Sequence, residues 1–275
     1  MNASTPRGFF LRVLGVLCVD VLLTASCGAP LMKLPAGAGA PAADAADALA
    51  QATATCRAIR TLTAEVAASG KVGGQRFRAT LLVGVAAPAS ARIEAVAPFG
   101  APAFILAAHD DDTTLLLPRD GRVLEHGKSE DVLDAVAGVR LSAAELRGAL
   151  AGCTSADVTL PDGRALGADW RVFGQSLYLH RAGATQPWQL VAVHRGFGLV
   201  EYRDFVNGLP RSIHIVGRGG DDISAGSFFD LSLALSQHET NVELGPEVFR
   251  VEVPPTAKPI GLDELQHARE SVRKN

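Results

Sequence analysis

The sequence has no excess of positive charge, no long apolar run and no paired-cysteine motif, and each absence closes a class of function. Its 26 Lys and Arg against 29 Asp and Glu leave a net charge of −3. Phosphate binding needs clustered cations, so nucleic acid is not an expected partner. No stretch reaches the roughly 18 consecutive apolar residues of a membrane-spanning helix. The four cysteines show no C-x-x-C or Cys/His spacing of zinc type, and no metal is expected. There is no G-x-S-x-G elbow, no Walker loop and no G-x-G-x-x-G after a strand. None of the seven histidines has a partner four residues on. His109-Asp-Asp-Asp112 reads as a solvated hairpin tip, because adjacent turn residues do not converge as ligands would. No cofactor and no catalytic residue is predicted, and the chain is not expected to be an enzyme.

What is present is apolar: 48% of 275 residues, enough to bury a substantial core. Arg7 and Arg12 precede the apolar stretch from Val13 to Ser26, which ends in small residues at Cys27. A positive n-region, a short apolar region and a small-residue cut site describe an export signal. Leu23-Thr-Ala-Ser-Cys27-Gly28 resembles the bacterial lipobox. That resemblance implies removal of residues 1–26 and acylation of Cys27 with palmitate-type chains. Gly28, in place of Asp, implies an outer-membrane destination facing the periplasm. Each buried CH₂ contributes about 0.8 kcal/mol, so several chains make a stable anchor where one would not. Ordinary secretion, or an uncleaved anchor, with Cys27 incidental stays open as the other reading. Residues 27–43, rich in Gly, Pro and Ala, are expected to be a flexible tether.

The folded part is expected over 44–258, followed by a polar tail over 259–275. Leu49, Ala52, Cys56, Ile59 and Leu62 recur at helical spacing and predict a helix over 44–62, with Asp44 and Asp47 at its N-terminus. From Ala64 the period changes to two. Strands are predicted over 64–72, 77–85, 91–96, 103–109, 113–117 and 122–125. Two short helices follow, over 129–137 and 142–150. Ser142 and Glu145 form a capping-box pattern, and Gly138 and Gly152 are stops. Strands resume over 158–160, 169–173, 176–180, 188–194, 199–205, 211–217, 228–237 and 249–253, with Asn207-Gly208 as a hairpin turn. This order predicts one α+β domain built on an antiparallel sheet wide enough to curl.

Three segments carry a family resemblance. Ala91-Arg-Ile-Glu-Ala-Val-Ala-Pro-Phe-Gly100 runs into a strand, Leu115-Leu-Leu-Pro-Arg-Asp-Gly-Arg-Val123 forms the next hairpin, and Val132–Gly152 holds two helices. Together with the ending Phe249-Arg-Val-Glu-Val-Pro254, these resemble the LolA/LolB lipoprotein carriers, most of all the outer-membrane receptor LolB. The resemblance implies an open antiparallel β half-barrel of about 11 or more strands whose concave face is covered by helices. It also implies an apolar cavity for acyl chains of lipoproteins or lipids, and a soluble LolA-like carrier as partner. Alternation places Phe77, Leu81, Val83, Ile93, Val96, Phe104, Leu106, Leu115, Leu117, Leu133, Leu146 and Leu150 in that cavity.

Pro98, Phe99 and Gly100 match the family's exposed apolar loop, which implies a membrane-inserting or transfer role. Phe99 folding back onto the sheet edge is the competing reading. Cys56 and Cys153, left over in an exported chain, are expected either to be bridged or to stay as buried thiols. The functional alternative to lipid binding is a non-catalytic structural or interaction lipoprotein whose barrel is filled by its own side chains.

Overall fold

From Thr61 to Ser69 every second residue is withdrawn from solvent: Leu62, Ala64, Val66 and Ala68 are buried, and their neighbours are not. A strand with this pattern presents one apolar face, and here each neighbouring strand continues it. The computed structural model describes residues 30–154, 162–219 and 227–267.

The strands are β1 (Ala40–Pro41), β2 (Thr61–Val72), β3 (Gln75–Ala86), β4 (Ser90–Val96), β5 (Ile105–His109), β6 (Asp112–Leu117), β7 (Arg122–Gly127), β8 (Gly163–Ala165), β9 (Trp170–Phe173), β10 (Leu177–His180), β11 (Gln189–Arg195), β12 (Gly198–Arg203), β13 (Ser212–Gly219), β14 (Ser227–Thr240) and β15 (Lys258–Pro259). Three helices lie wholly within the described residues, α1 (Ala45–Arg57), α2 (Ser129–Ala137) and α3 (Ala143–Ala151), and residues 262–267 are helical as well. All strands join one open sheet in the order β1-β8-β9-β10-β11-β12-β13-β14-β2-β3-β4-β5-β6-β7-β15. Every pairing is antiparallel except β15 with β7. The three helices pack on one face, called inner here, and share its buried cluster. The open, helix-covered antiparallel sheet agrees with the expected architecture.

Local chemistry explains the helix ends. In α3 the Ser142 hydroxyl accepts from the Glu145 N–H at 3.2 Å, and the Glu145 carboxylate accepts from the Ser142 N–H at 2.9 Å. Gly138 and Gly152 close α2 and α3 at φ 73° and 70°, a region that costs other residues. Helix α1 differs from its expected span: it stops at Arg57, and Leu62 belongs to β2. The end of β14 captures this stretch instead, with the Asn241 N–H donating to Thr61 O at 2.8 Å and the Arg60 N–H to the Asn241 side chain at 2.7 Å. Asp44 makes no side-chain cap; it binds Arg171 of β9.

Three more expectations need correcting. Residues 249–253 form no strand, because Pro246 opens a 3-10 turn over Pro246–Phe249. Arg92 then takes the carbonyls of Val248 and Arg250, which a ladder would have used. Strands β1, β8 and β15 were not foreseen, since two or three residues show no alternation. The stretch expected as a tether is docked from residue 30 onward. Ala40 and Pro41 pair with β8, and Met32 and Leu34 pack on the outer face of the sheet. At the other end, Ile260 and Leu262 of the expected tail join the core, and Leu265 is buried with them. The predicted strand over 158–160 lies outside the described residues.

Candidate functional site

Register decides which side chains share the inner face. Ala64, Val83, Ile93, Leu106, Leu115 and Leu124 stand in one row across β2 to β7. One row outward, Val66 pairs with Leu81 and Leu81 with Ala95. A further two rows out, Gly70 faces Phe77. Phe104 and Leu117 follow the same alternation along β5 and β6. The sheet residues proposed from alternation therefore share one face, with the exception of Val96. Val96 pairs with Thr80, on the outer face, and is 42% exposed. Counting from Ile93 by twos reaches Ala95; Val96 is one step out of phase.

The two ends of this face differ. Helix α1 packs on β8 to β11, while α2 packs on β6 and α3 on β3 and β4, toward the strand ends at Ala86, Ser90 and Thr113. There Val83, Ile93, Leu106, Leu115, Leu133 and Leu150 are buried core, with Leu106 and Leu115 at 0% exposure. Val132 of α2 and Leu141 of the α2–α3 connection pack into the same buried cluster. At the opposite end the row is covered less. Leu81, Phe104, Leu117 and Leu146 are half-buried against the core, and Phe77 is 39% exposed. An apolar strip is thus left open beside the β2–β3 turn.

The loop between β4 and β5 borders the same end. Phe99 is 90% exposed, flanked by exposed Pro98 and Gly100. It does not fold back on the sheet. Arg119, from the β6–β7 turn, donates to the carbonyls of Ala101 at 3.1 Å and Phe99 at 3.2 Å, so the loop's backbone is held while its aromatic ring is free.

Cys56 and Cys153 are joined by a disulfide, with Cα atoms 5.6 Å apart, which ties α1 to the residue following the Gly152 cap. Arg171 grips Asp44 with Nε–Oδ1 at 2.7 Å and Nη2–Oδ2 at 2.8 Å. The hydrogen bond from Arg171 holds the Asp44 carboxyl below its ordinary range. The guanidinium groups of Arg171 and Arg181 each lie over the Trp188 ring, 4.7 and 4.5 Å from its centre.

Two clefts of about 520 and 400 Å³ have mixed walls, not apolar ones. The larger is lined by Glu65, Leu82, Arg92, Glu94 and His238 among others, and His238 also borders the smaller. Burial, then the charge of Arg211, lowers the His238 pKa to about 4. Asp110, Asp111 and Asp112 are exposed at their turn, and no group of three metal-ligating side chains occurs among the described residues. His180 stacks on Trp170 with ring centres 4.5 Å apart, and His194 lies 6.4 Å from Tyr178.

Sequence reasoning missed one polar cluster on the outer face. Glu201 has 0% exposure; its Oε1 accepts from the Met32 N–H at 2.7 Å and its Oε2 from Arg203 at 2.7 Å. His214 is buried beside it and meets Asp230 at 2.7 Å. The only sequence signal was an acidic residue inside an apolar strand.

No family model and no curated protein matches the sequence. Among solved structures, a LolA superfamily protein of Nitrosomonas europaea is 12% identical, with 75% of this chain and 97% of that one covered and a TM-score of 0.49. A DUF1329 family protein of Desulfovibrio piger is 12% identical over 77% of this chain and 98% of that one, at 0.44. The lipoprotein LppX of Mycobacterium tuberculosis is 13% identical over 73% and 97%, at 0.30. Each score lies under 0.5, so these are partial geometric likenesses and no more.

Proposed function

We propose that this chain is a non-catalytic envelope lipoprotein that shelters acyl chains of lipids or lipoproteins on the open end of its inner face, in lipoprotein localisation or lipid transfer. Cys27 carries the acyl anchor to the outer membrane, and a soluble LolA-like protein is the donor. The observation that carries the reading is the unfinished apolar row. Phe77, Leu81, Phe104 and Leu117 continue the core's own face yet stay partly open to solvent. A shallow strip that dries about five methylenes contributes about 4 kcal/mol, at about 0.8 kcal/mol each. That is about a thousandfold in affinity, which suits holding and release better than permanent binding. Phe99 offers the departing chain an apolar step toward a bilayer.

A second reading has its own support. Leu106 and Leu115 are fully buried under the helices, as a self-filled structural lipoprotein requires. Mass spectrometry of the full-length chain purified from bacterial membranes separates the two. Acyl-binding predicts an N-terminal peptide beginning at triacylated Cys27 and a co-purified lipid near one per chain. An unmodified Cys27 with no retained lipid defeats the proposal; an acylated Cys27 without lipid favours the self-filled barrel.

A further inference from the structure

We infer that residues 30–41 are a strap that pins the N-terminal exit of the chain to the outer face of the sheet, so that this face is turned toward the anchoring membrane and the apolar strip away from it. The orientation rests on the anchor at Cys27; the strap itself does not.

The strap is fastened at three levels. At its start, Arg203 donates to the Pro30 carbonyl at 2.5 Å and to Glu201 at 2.7 Å, and the Met32 N–H donates to the same Glu201 at 2.7 Å. A carboxylate with no exposure is costly unless its oxygens are filled, and the strap supplies one of the donors. In its middle, Met32 and Leu34 cover Val172, Tyr178, Val191 and Ala192. At its end, Arg164 donates to the carbonyls of Ala38 and Gly39, both at 2.9 Å, and β1 pairs with β8.

All these partners lie on one face. Val172, Tyr178, Ala192 and Glu201 are cross-strand neighbours in successive strands, opposite to the inner row of Phe173, Leu177, Val193 and Val200. Only three residue steps separate Cys27 from Pro30, a reach of about 10–11 Å; a free segment from Cys27 to Pro41 would reach about 50 Å. With the strap fastened, a lipid on Cys27 holds the bilayer against the outer face of β10 to β13. The strip on the inner face then opens to the periplasm, where a soluble acyl-chain donor reaches it, and the Phe99 loop at the strip's border is the route from there to the bilayer.

The test uses the full chain purified from membranes and reconstituted in phosphatidylethanolamine–phosphatidylglycerol vesicles. Single cysteines replace exposed His194, on the outer face, or Phe77, on the inner, and carry a fluorophore quenched by a headgroup acceptor. The His194 site is expected to be quenched at least about twofold more than the Phe77 site. The Met32 amide is expected to exchange at least about 100-fold more slowly than an open amide, and Glu201→Ala to abolish that protection. Met32→Pro removes the donor to Glu201 and the Met32 packing on Val172 and Tyr178, and is expected to narrow the difference between the two sites. Equal quenching in the unaltered chain, or a freely exchanging Met32 amide, overturns the inference. A protected Met32 amide with no acyl mass on Cys27 defeats the orientation through the anchor, and the strap's pinning alone is upheld.

Discussion

Leu81 and Val83 point to the same side of β3, two residues apart, yet Val83 is buried and Leu81 is only half covered. The row of Val83 continues through Ile93 and Leu106 beneath the helices, while that of Leu81 runs on to Ala95 near the open end. The boundary between core and accessible strip falls between these two side chains.

Truncation on either side of that boundary should separate stability from binding. Leu106→Ala is expected to cost about 2–5 kcal/mol, the range for a fully buried Leu. Leu81→Ala is expected to cost less than about 1.5 kcal/mol, because half its surface is already wet. Urea unfolding of both variants checks this. Equal losses would mean that the strip is as much core as the rest.

Phe99→Ser should leave the melting temperature unchanged, since Arg119 holds the loop through its carbonyls and the ring touches solvent. Transfer of an acylated peptide from the chain to vesicles should slow at least about tenfold, the effect of about 1.4 kcal/mol. Unchanged transfer would remove Phe99 from the proposed pathway.

Reducing the Cys56–Cys153 bridge opens a loop with a sequence separation of 97. The chain-entropy model assigns such a loop up to about 4–5 kcal/mol. Cys56→Ser, Cys153→Ser and the double variant should lose the same amount, because each breaks one bond. Unfolding curves with additive losses would show that the two sulfurs act separately.

Acid should act on two groups in different windows. The pKa of His238 falls from an ordinary value near 6.5 to about 4 in the folded chain, through burial and then Arg211. Between those values the unfolded chain binds more protons, so stability drops as pH falls from about 6.5 toward about 4 and levels off below. His238→Gln should remove that slope. Asp44, whose carboxyl is lowered by Arg171, contributes above its ordinary range and loses that contribution only as pH falls below it. Asp44→Asn should flatten the lower window alone. Melting temperature measured from pH 7 to 3 reads both, and unchanged slopes would refute the assignments.

Most of the fold was legible because its signals are periodic. Alternation placed Phe77, Leu81, Val83, Ile93, Phe104, Leu106, Leu115 and Leu117 on one face, and the capping box and glycine stops bounded α3. Alternation states which residues share a face, not how deeply a neighbouring element covers them. That is why Leu106 and Phe77 looked alike in the sequence and differ in the structure. The docked segment from Pro30 was illegible for another reason. Its Gly, Pro and Ala composition is that of a linker, and its fastenings are backbone groups meeting Glu201, Arg203 and Arg164, far along the chain. Composition cannot report such a bond.

The most direct test is titration of the full chain with a fluorescent fatty acid, comparing it with Leu81→Asp and with Leu82→Asp on the outer face of the same strand. A charge at residue 81 should weaken binding at least about tenfold, and one at residue 82 should leave it unchanged. Binding that is absent, or that both substitutions weaken alike, would contradict an acyl site on the inner face.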